Sequence, residues 1–155
     1  MSRIPESVAA FLRGRRFAVA GVSRESNQPA NAIFRKLKAA GYDVFPINPQ
    51  ATTLEGVACY ADVAAVPGPL DGVVIVTAPG AALDVVRQCA AKGVPRVWFH
   101  RSFGDGSVSE EAARECAANG IEAIVGGCPM MFCEPVDFPH KCMKWWLQHQ
   151  GRVPA

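Results

Sequence analysis

A doubly wound α/β fold, with a mainly parallel sheet of five or six strands and helices on both faces, is predicted by three features of the sequence. Apolar runs of strand length alternate with segments of helical spacing. One run, Val73 to Val76, is apolar at every position, and glycines stand where two of the helices must end. A strand buried on both faces has no solvent side to make polar, so a continuous apolar run marks the centre of a parallel sheet. Right-handed crossovers then distribute the helices over both faces.

A short helix is expected over 5–13, followed by a first strand in "RFAVAGV" (16–22). Ile33, Phe34, Leu37 and Ala40 recur at helical spacing, and Gly41 ends that helix where a left-handed residue is needed. "YDVFPIN" (42–48) is the second strand. The stretch 49–72 is rich in turn formers; "GVACY" within it is expected as an edge strand, with a helical turn over 61–65. The central strand "GVVIVTA" (72–78) leads into a helix marked by Leu83, Val86 and Ala90 and closed by Gly93. "RVWFH" (96–100) is the fourth strand. "SVSEEAARECAANG" opens with Ser107 three residues ahead of Glu110, the spacing of a capping box. "EAIVGG" (122–127) is the last strand, and "HKCMKWWLQHQ" reads as a closing helix. Neither a repeat nor a linker divides the chain, so one domain over 1–155 is expected, with its core at about 16–132 and a tail and helix over 133–155.

Composition narrows the function classes. The 155 residues suffice for one ordinary core, and 19% are charged. No apolar stretch approaches the ~20 residues of a membrane span, so a membrane partner is not expected. The start, "MSRIPESVAAFLRGRR", carries Glu6 and Arg13 where a secretory signal would be apolar, which makes a cytoplasmic location the expectation. A net charge of +2, without basic runs among exposed aromatics, gives no footprint for nucleic acid. The six cysteines are expected to be reduced, because Cys59, Cys89 and Cys116 lie in apolar patterns like small core residues.

In doubly wound sheets, ligands sit beyond the carboxyl ends of the strands, and the first strand-to-helix turn lines that crevice. Here that turn is Gly21 to Ala30. Its backbone N–H groups and the positive end of the next helix suit a phosphate, to which the Ser23 hydroxyl and the Arg24 guanidinium can add donors. A dinucleotide fingerprint GxGxxG would need glycines at Ser23 and Ser26, and an NAD site would want an acid at the end of the second strand, where the chain reads Pro46, Ile47, Asn48, Pro49. NAD is therefore disfavoured, and the proline-rich corner can wall an adenine without reading ribose hydroxyls. The plainer alternative is that Gly21 only lets the chain turn and Arg24 is a solvated loop residue.

Several stretches carry a resemblance: "VAGVSR" (19–24), "LKAAGYDVFPINP" (37–49), "EGVACYADVAAVPGPLDGVVIVTAP" (55–79), "KGVPRVWFH" (92–100) and "NGIEAIVGGCPMMF" (119–132). Together they resemble the small stand-alone CoA-binding domain proteins, whose Rossmann-like fold is similar to the amino-terminal domain of the succinyl-CoA synthetase alpha subunit. The resemblance implies that coenzyme A, or an acyl-CoA, lies across the carboxyl edge of the sheet. Carried over by position, Gly21, Val22, Ser23 and Arg24 surround phosphate, while Ile47, Asn48 and Pro49 flank the adenosine. Ala78 and Pro79 wall the nucleotide, and Trp98 and His100 lie near the pantetheine path. The chain departs from the family at Gln50, where a lysine frequently stands, and in "WFHRSFGDG", where Gln and Gly often follow the tryptophan. Full synthetases use a phosphorylated histidine in a further domain, so the resemblance implies a binder rather than an independent ligase.

The tail gathers Cys128, Cys133, His140 and Cys142 within fifteen residues. A structural zinc site usually supplies a close cysteine pair, and these spacings miss the common templates, so no metal is expected; zinc or an iron–sulfur cluster is the weaker alternative. Cys128, leaving the sheet edge, is the candidate for a mixed disulfide with a CoA thiol. Trp145 and Trp146, with Met143 and Leu147, are a candidate surface for a homodimer. The competing functions are an NAD(P)-binding oxidoreductase or ligase subunit, and a thiol- or metal-based redox regulator.

Overall fold

The computed structural model describes residues 4–101, 106–133, 136 and 138–152. The order of elements is α1 (Glu6–Leu12), β1 (Arg16–Ala20), α2 (Pro29–Ala39), β2 (Asp43–Ile47), β3 (Thr53–Leu54) and β4 (Val57–Ala58). There follow β5 (Gly72–Ile75), α3 (Pro79–Lys92), β6 (Arg96–Phe99), α4 (Glu110–Ala118), β7 (Glu122–Val125), a 3-10 turn (Pro129–Met131) and α5 (Phe138–His149). Five strands form one sheet in the order β2-β1-β5-β6-β7, and every neighbouring pair is parallel. This is a Rossmann-like α/β architecture with β5 at its centre, where the uninterrupted apolar run places it.

Alternation along the strands divides the core in two. Phe17, Val19, Val74, Trp98 and Ile124 face α1, α2 and α5, meeting Phe11, Ile33, Phe34, Leu37 and Leu147. Ala18, Ala20, Val73, Ile75, Val97 and Phe99 face α3 and α4, meeting Val86, Cys89, Ala112 and Cys116. Small residues in β1 on the second face let the helices approach closely, while the first face takes the large aromatics. Trp98 there is fully buried, edge-on to Phe11 at 5.5 Å and tilted against Phe132 at 5.9 Å. On the opposite face, burial pushes the thiol of Cys89 up to about 12 and that of Cys116 up to about 11. All six cysteines are thiols.

The helix ends follow local chemistry. Gly93, at φ +80°, caps α3, and its N–H donates to the Ala90 carbonyl at 3.2 Å. The cap of α4 differs from the expected capping box. Ser109, immediately before Glu110, is the N-cap, and its Oγ accepts from the Ala112 N–H at 3.2 Å. Ser107 is buried, and its hydroxyl donates to the Thr77 carbonyl, a local demand that outweighs the sequence spacing.

The segment expected as an edge strand also pairs differently. β4 joins β3 in an antiparallel hairpin separate from the large sheet, and Tyr60 alone bridges to Ile47 at the end of β2. The two residues joining β3 to β4, Glu55 and Gly56, have φ of +52° and +75°. A positive φ at both central positions is the signature of a type I′ turn, whose twist matches that of the strands it connects. Pro46 sits within β2, where an edge strand tolerates the missing N–H, and its carbonyl accepts from the Tyr60 N–H at 3.0 Å.

Candidate functional site

The strand order reverses between β1 and β5, and at that point a cleft of about 330 Å³ opens beyond the carboxyl ends of the strands. Gly21, Ser23 and the first residues of α2 line one side of it, and Val76, Thr77, His100 and Ser107 line the other. An open α/β sheet presents its ligand crevice at this position.

The floor needs glycine at position 21. Gly21 has φ +103°, and a Cβ there would stand 2.3 Å from the Val76 carbonyl oxygen. From Gly21 the chain rises into a turn held by Asn31, a residue of α2 that is 1% exposed. The Asn31 Oδ1 accepts from the Ser23 N–H at 2.9 Å, and its Nδ2 donates to the Ser23 carbonyl at 2.7 Å. The Ser23 Oγ accepts from the Glu25 N–H at 3.0 Å, which leaves the hydroxyl proton to donate. The Ser23 backbone N–H is already engaged. In the first turn of α2, Pro29 has no N–H and the Asn31 and Ala32 N–H groups donate to the Gln28 carbonyl, so the donors that can meet an anion include that hydroxyl, the Ala30 N–H and the exposed Arg24 guanidinium.

Arg24 spans to the corner after β2, where its Nη2 donates to the Gln50 carbonyl. Asn48 makes that corner rigid: its Nδ2 donates to the Val22 carbonyl at 2.9 Å, and its Oδ1 accepts from the Gln50 N–H at 2.8 Å. The Ile47 carbonyl accepts from the Gly21 N–H at 3.2 Å. The turns after β1 and β2 are thus one hydrogen-bonded unit containing Gly21, Val22, Ser23, Arg24, Ile47, Asn48 and Pro49. Val22 and Ile47 are buried within it, while Pro49 is exposed.

Ala78 and Pro79 form the exposed N-cap and first residue of α3, adjoining Val76 and Thr77 of the cleft wall. His100 reaches the cleft from the end of β6 and is 8% exposed. Burial, with a smaller contribution from the charge of His140, lowers its ring to about 4. It therefore faces the cleft as a neutral imidazole at pH 7. Of the residues expected from the sequence, Gly21, Ser23 and His100 line the cleft itself, and Trp98 lies deepest of the rest: it is fully buried, and its indole N–H donates to the Gly126 carbonyl at 2.9 Å. Residues 102–105 of the "WFHRSFGDG" stretch lie outside the described residues.

In the tail, Cys128 and Cys133 are buried in the aromatic half of the core, whereas Cys142 is exposed on α5. Among the described residues, no three His, Cys, Asp or Glu side chains converge as a metal centre would require. Trp145 and Trp146 are 61% and 54% exposed, while Leu147 beside them is fully buried.

Two residues that shape the turn carried no signal in the sequence reading. Asn31 sits at a helical position, and its role depends on a backbone loop eight residues earlier. The one available hint is that it falls on the apolar face of α2 beside Ala30, Ile33 and Phe34. Glu55, in the hairpin turn, accepts from the Asn31 Nδ2 at 2.9 Å and from the Arg35 Nη1 at 2.7 Å.

Comparison with known proteins adds to this geometry. The family model described as the CoA binding domain matches residues 15–134. Over 106 residues the chain is 31% identical to the alpha subunit of ADP-forming acetate–CoA ligase II of Pyrococcus furiosus, covering 68% of this chain and 23% of that subunit. The chain thus spans less than a quarter of the ligase subunit. YneT, an uncharacterized protein of Bacillus subtilis, is 25% identical over 116 residues, covering 75% of this chain and 83% of that one. Among solved structures, Prb, the PH1109 protein redesigned for binding, aligns with a TM-score of 0.75 and 27% identity over 81% of this chain and 85% of that one.

Proposed function

We propose that this chain, which belongs to the CoA binding domain family, binds coenzyme A or an acyl-CoA in the cleft at the reversal of strand order, as a non-catalytic module. The observation that carries the reading is the composite turn: a glycine floor, the amino end of α2, the Ser23 hydroxyl and the Arg24 guanidinium, braced against a β2 corner without an acidic residue. Those groups suit a phosphorylated nucleotide and offer nothing to pair with free ribose hydroxyls. In this reading Ser23 and Arg24 hold phosphate and Pro49 walls the adenine with Ile47 and Asn48 behind it. Ala78 and Pro79 close the other side, and His100 lies along the pantetheine arm. In this reading the chain's own contribution is to bind and orient, with His100 facing the cleft as a neutral imidazole. The ligase relative's activity belongs to a protein more than four times longer than the matched part.

Cytoplasmic residence is part of the same reading, because a reducing compartment suits six cysteines held as thiols. A second copy of the chain is the proposed occupant of the Trp145–Trp146 surface, to be checked by sedimentation of the wild type against Trp145→Ser. Thermal melting with coenzyme A or NAD tests the ligand: coenzyme A should raise the midpoint at concentrations where NAD leaves it unchanged. Stabilisation by NAD alone would refute the reading. Native mass spectrometry of the protein as isolated reports bound coenzyme A, metal and oligomeric state together.

A further inference from the structure

We propose that Glu55 is a positioning residue for the anion-binding turn, holding both ends of the segment 23–26 from the tip of the β3–β4 hairpin. The inference rests on the reading above and names the group that sets the shape of its phosphate site.

The Glu55 side chain is 14% exposed, and its Oε1 accepts two hydrogen bonds. One comes from the Asn31 Nδ2. A carboxylate can only accept, so it engages the second N–H of the Asn31 NH2 and anchors from outside the amide whose oxygen and other N–H hold the Ser23 N–H and carbonyl in the cleft wall. The other comes from the Arg35 Nη1, and the Nη2 of the same guanidinium donates to the Ser26 carbonyl at 3.0 Å. One carboxylate thereby fastens the turn at Ser23 through an amide and at Ser26 through a guanidinium.

The backbone at Glu55 gives the second, independent observation. Its φ of +52° is the sole positive value outside glycine among the described residues. Glycine, asparagine or aspartate ordinarily fills that position of a type I′ turn. Neither glycine nor asparagine would extend a carboxylate to Asn31 and Arg35, and aspartate is one carbon shorter. A residue poorly suited to its turn, with its side chain committed to a neighbouring loop, points to a role in that loop.

The decisive variant is Glu55→Gly, which removes the carboxylate while relieving the backbone, so the fold is expected to keep or gain thermal stability. The coenzyme A dissociation constant should rise about tenfold. The Ser23 amide should exchange its hydrogen about tenfold faster, with amides of β1 and β5 unchanged. Glu55→Gln, which keeps the length of the side chain but removes the charge paired with Arg35, should move both readouts in the same direction by a smaller amount. Unchanged affinity and unchanged Ser23 exchange in both variants would overturn the proposal, as would a loss of affinity that merely tracks a fall in melting temperature. If the wild type itself fails to bind coenzyme A, the functional reading falls, and the Ser23 exchange rates alone decide the role of Glu55.

Discussion

The Asn48 side-chain amide donates to the Val22 carbonyl oxygen at 2.9 Å, lacing the turn after β2 to the turn after β1. Its oxygen meanwhile accepts from the Gln50 N–H, so one residue serves both sides of the corner. Replacing Asn48 with alanine leaves a carbonyl and an N–H to find water. The expected cost is ~1–3 kcal/mol in urea unfolding, together with weaker coenzyme A binding as Pro49 loses its support.

Gly21→Ala should be more damaging. The new Cβ would lie 2.3 Å from backbone that cannot move without disturbing β5, and the φ of +103° disfavours any side chain. A loss of roughly 2–5 kcal/mol is expected in denaturant titration, with the coenzyme A-dependent rise in melting temperature abolished.

Arg24→Ala separates binding from folding. Arg24 is exposed, so its removal should leave stability within about 0.5 kcal/mol of wild type. Calorimetry should show coenzyme A binding weakened by roughly 1.5–3 kcal/mol, the worth of a lost charge-assisted hydrogen bond. Unchanged affinity would return Arg24 to the status of a solvated loop residue.

His100 supplies a pH signature. Its folded value, about 4, lies below the ordinary 6.5, so between those two pH values the unfolded chain binds a proton that the native protein excludes. The stability associated with the neutral ring is therefore fully present above about pH 6.5 and is lost as pH falls towards 4, by no more than ~3 kcal/mol. A His100→Asn variant should melt with a flatter pH dependence across that window, as measured by scanning calorimetry from pH 7 to pH 4.

The sheet was legible because burial leaves a mark on every residue of a strand: Val73 to Val76 identifies the centre of the sheet, and Phe17 and Val19 alternate with Ala18 and Ala20 as two unlike faces require. The glycine floor and the proline corner were legible for a different reason: glycine permits and proline imposes a backbone conformation that local sequence alone can mark. Asn31 and Glu55 were not, because their partners lie eight and twenty-four residues away and no periodicity connects an amide, a hairpin tip and a loop. The expectation of an edge strand in "GVACY" misses the hairpin because the two-residue strands Thr53–Leu54 and Val57–Ala58 are too short to show alternation. For α4, the spacing points to Ser107, but the Thr77 carbonyl beyond β5 takes the Ser107 hydroxyl and Ser109 makes the cap. Trp98, part of a recognisable motif, serves the core: its indole is fully buried and donates to the Gly126 carbonyl just beyond the last strand.

The thiols of Cys89 and Cys116, both fully buried between the sheet and the α3–α4 layer, give the molecule an internal clock. Held as neutral thiols and shut away from solvent, they become available to an alkylating reagent only when that layer opens, whereas Cys142 on the surface of α5 is accessible from the start. Residue-resolved labelling therefore times the opening of one face of the sheet without any engineered probe. Slower labelling of Cys89 and Cys116 with added coenzyme A would report binding at the carboxyl edge as protection deep in the core.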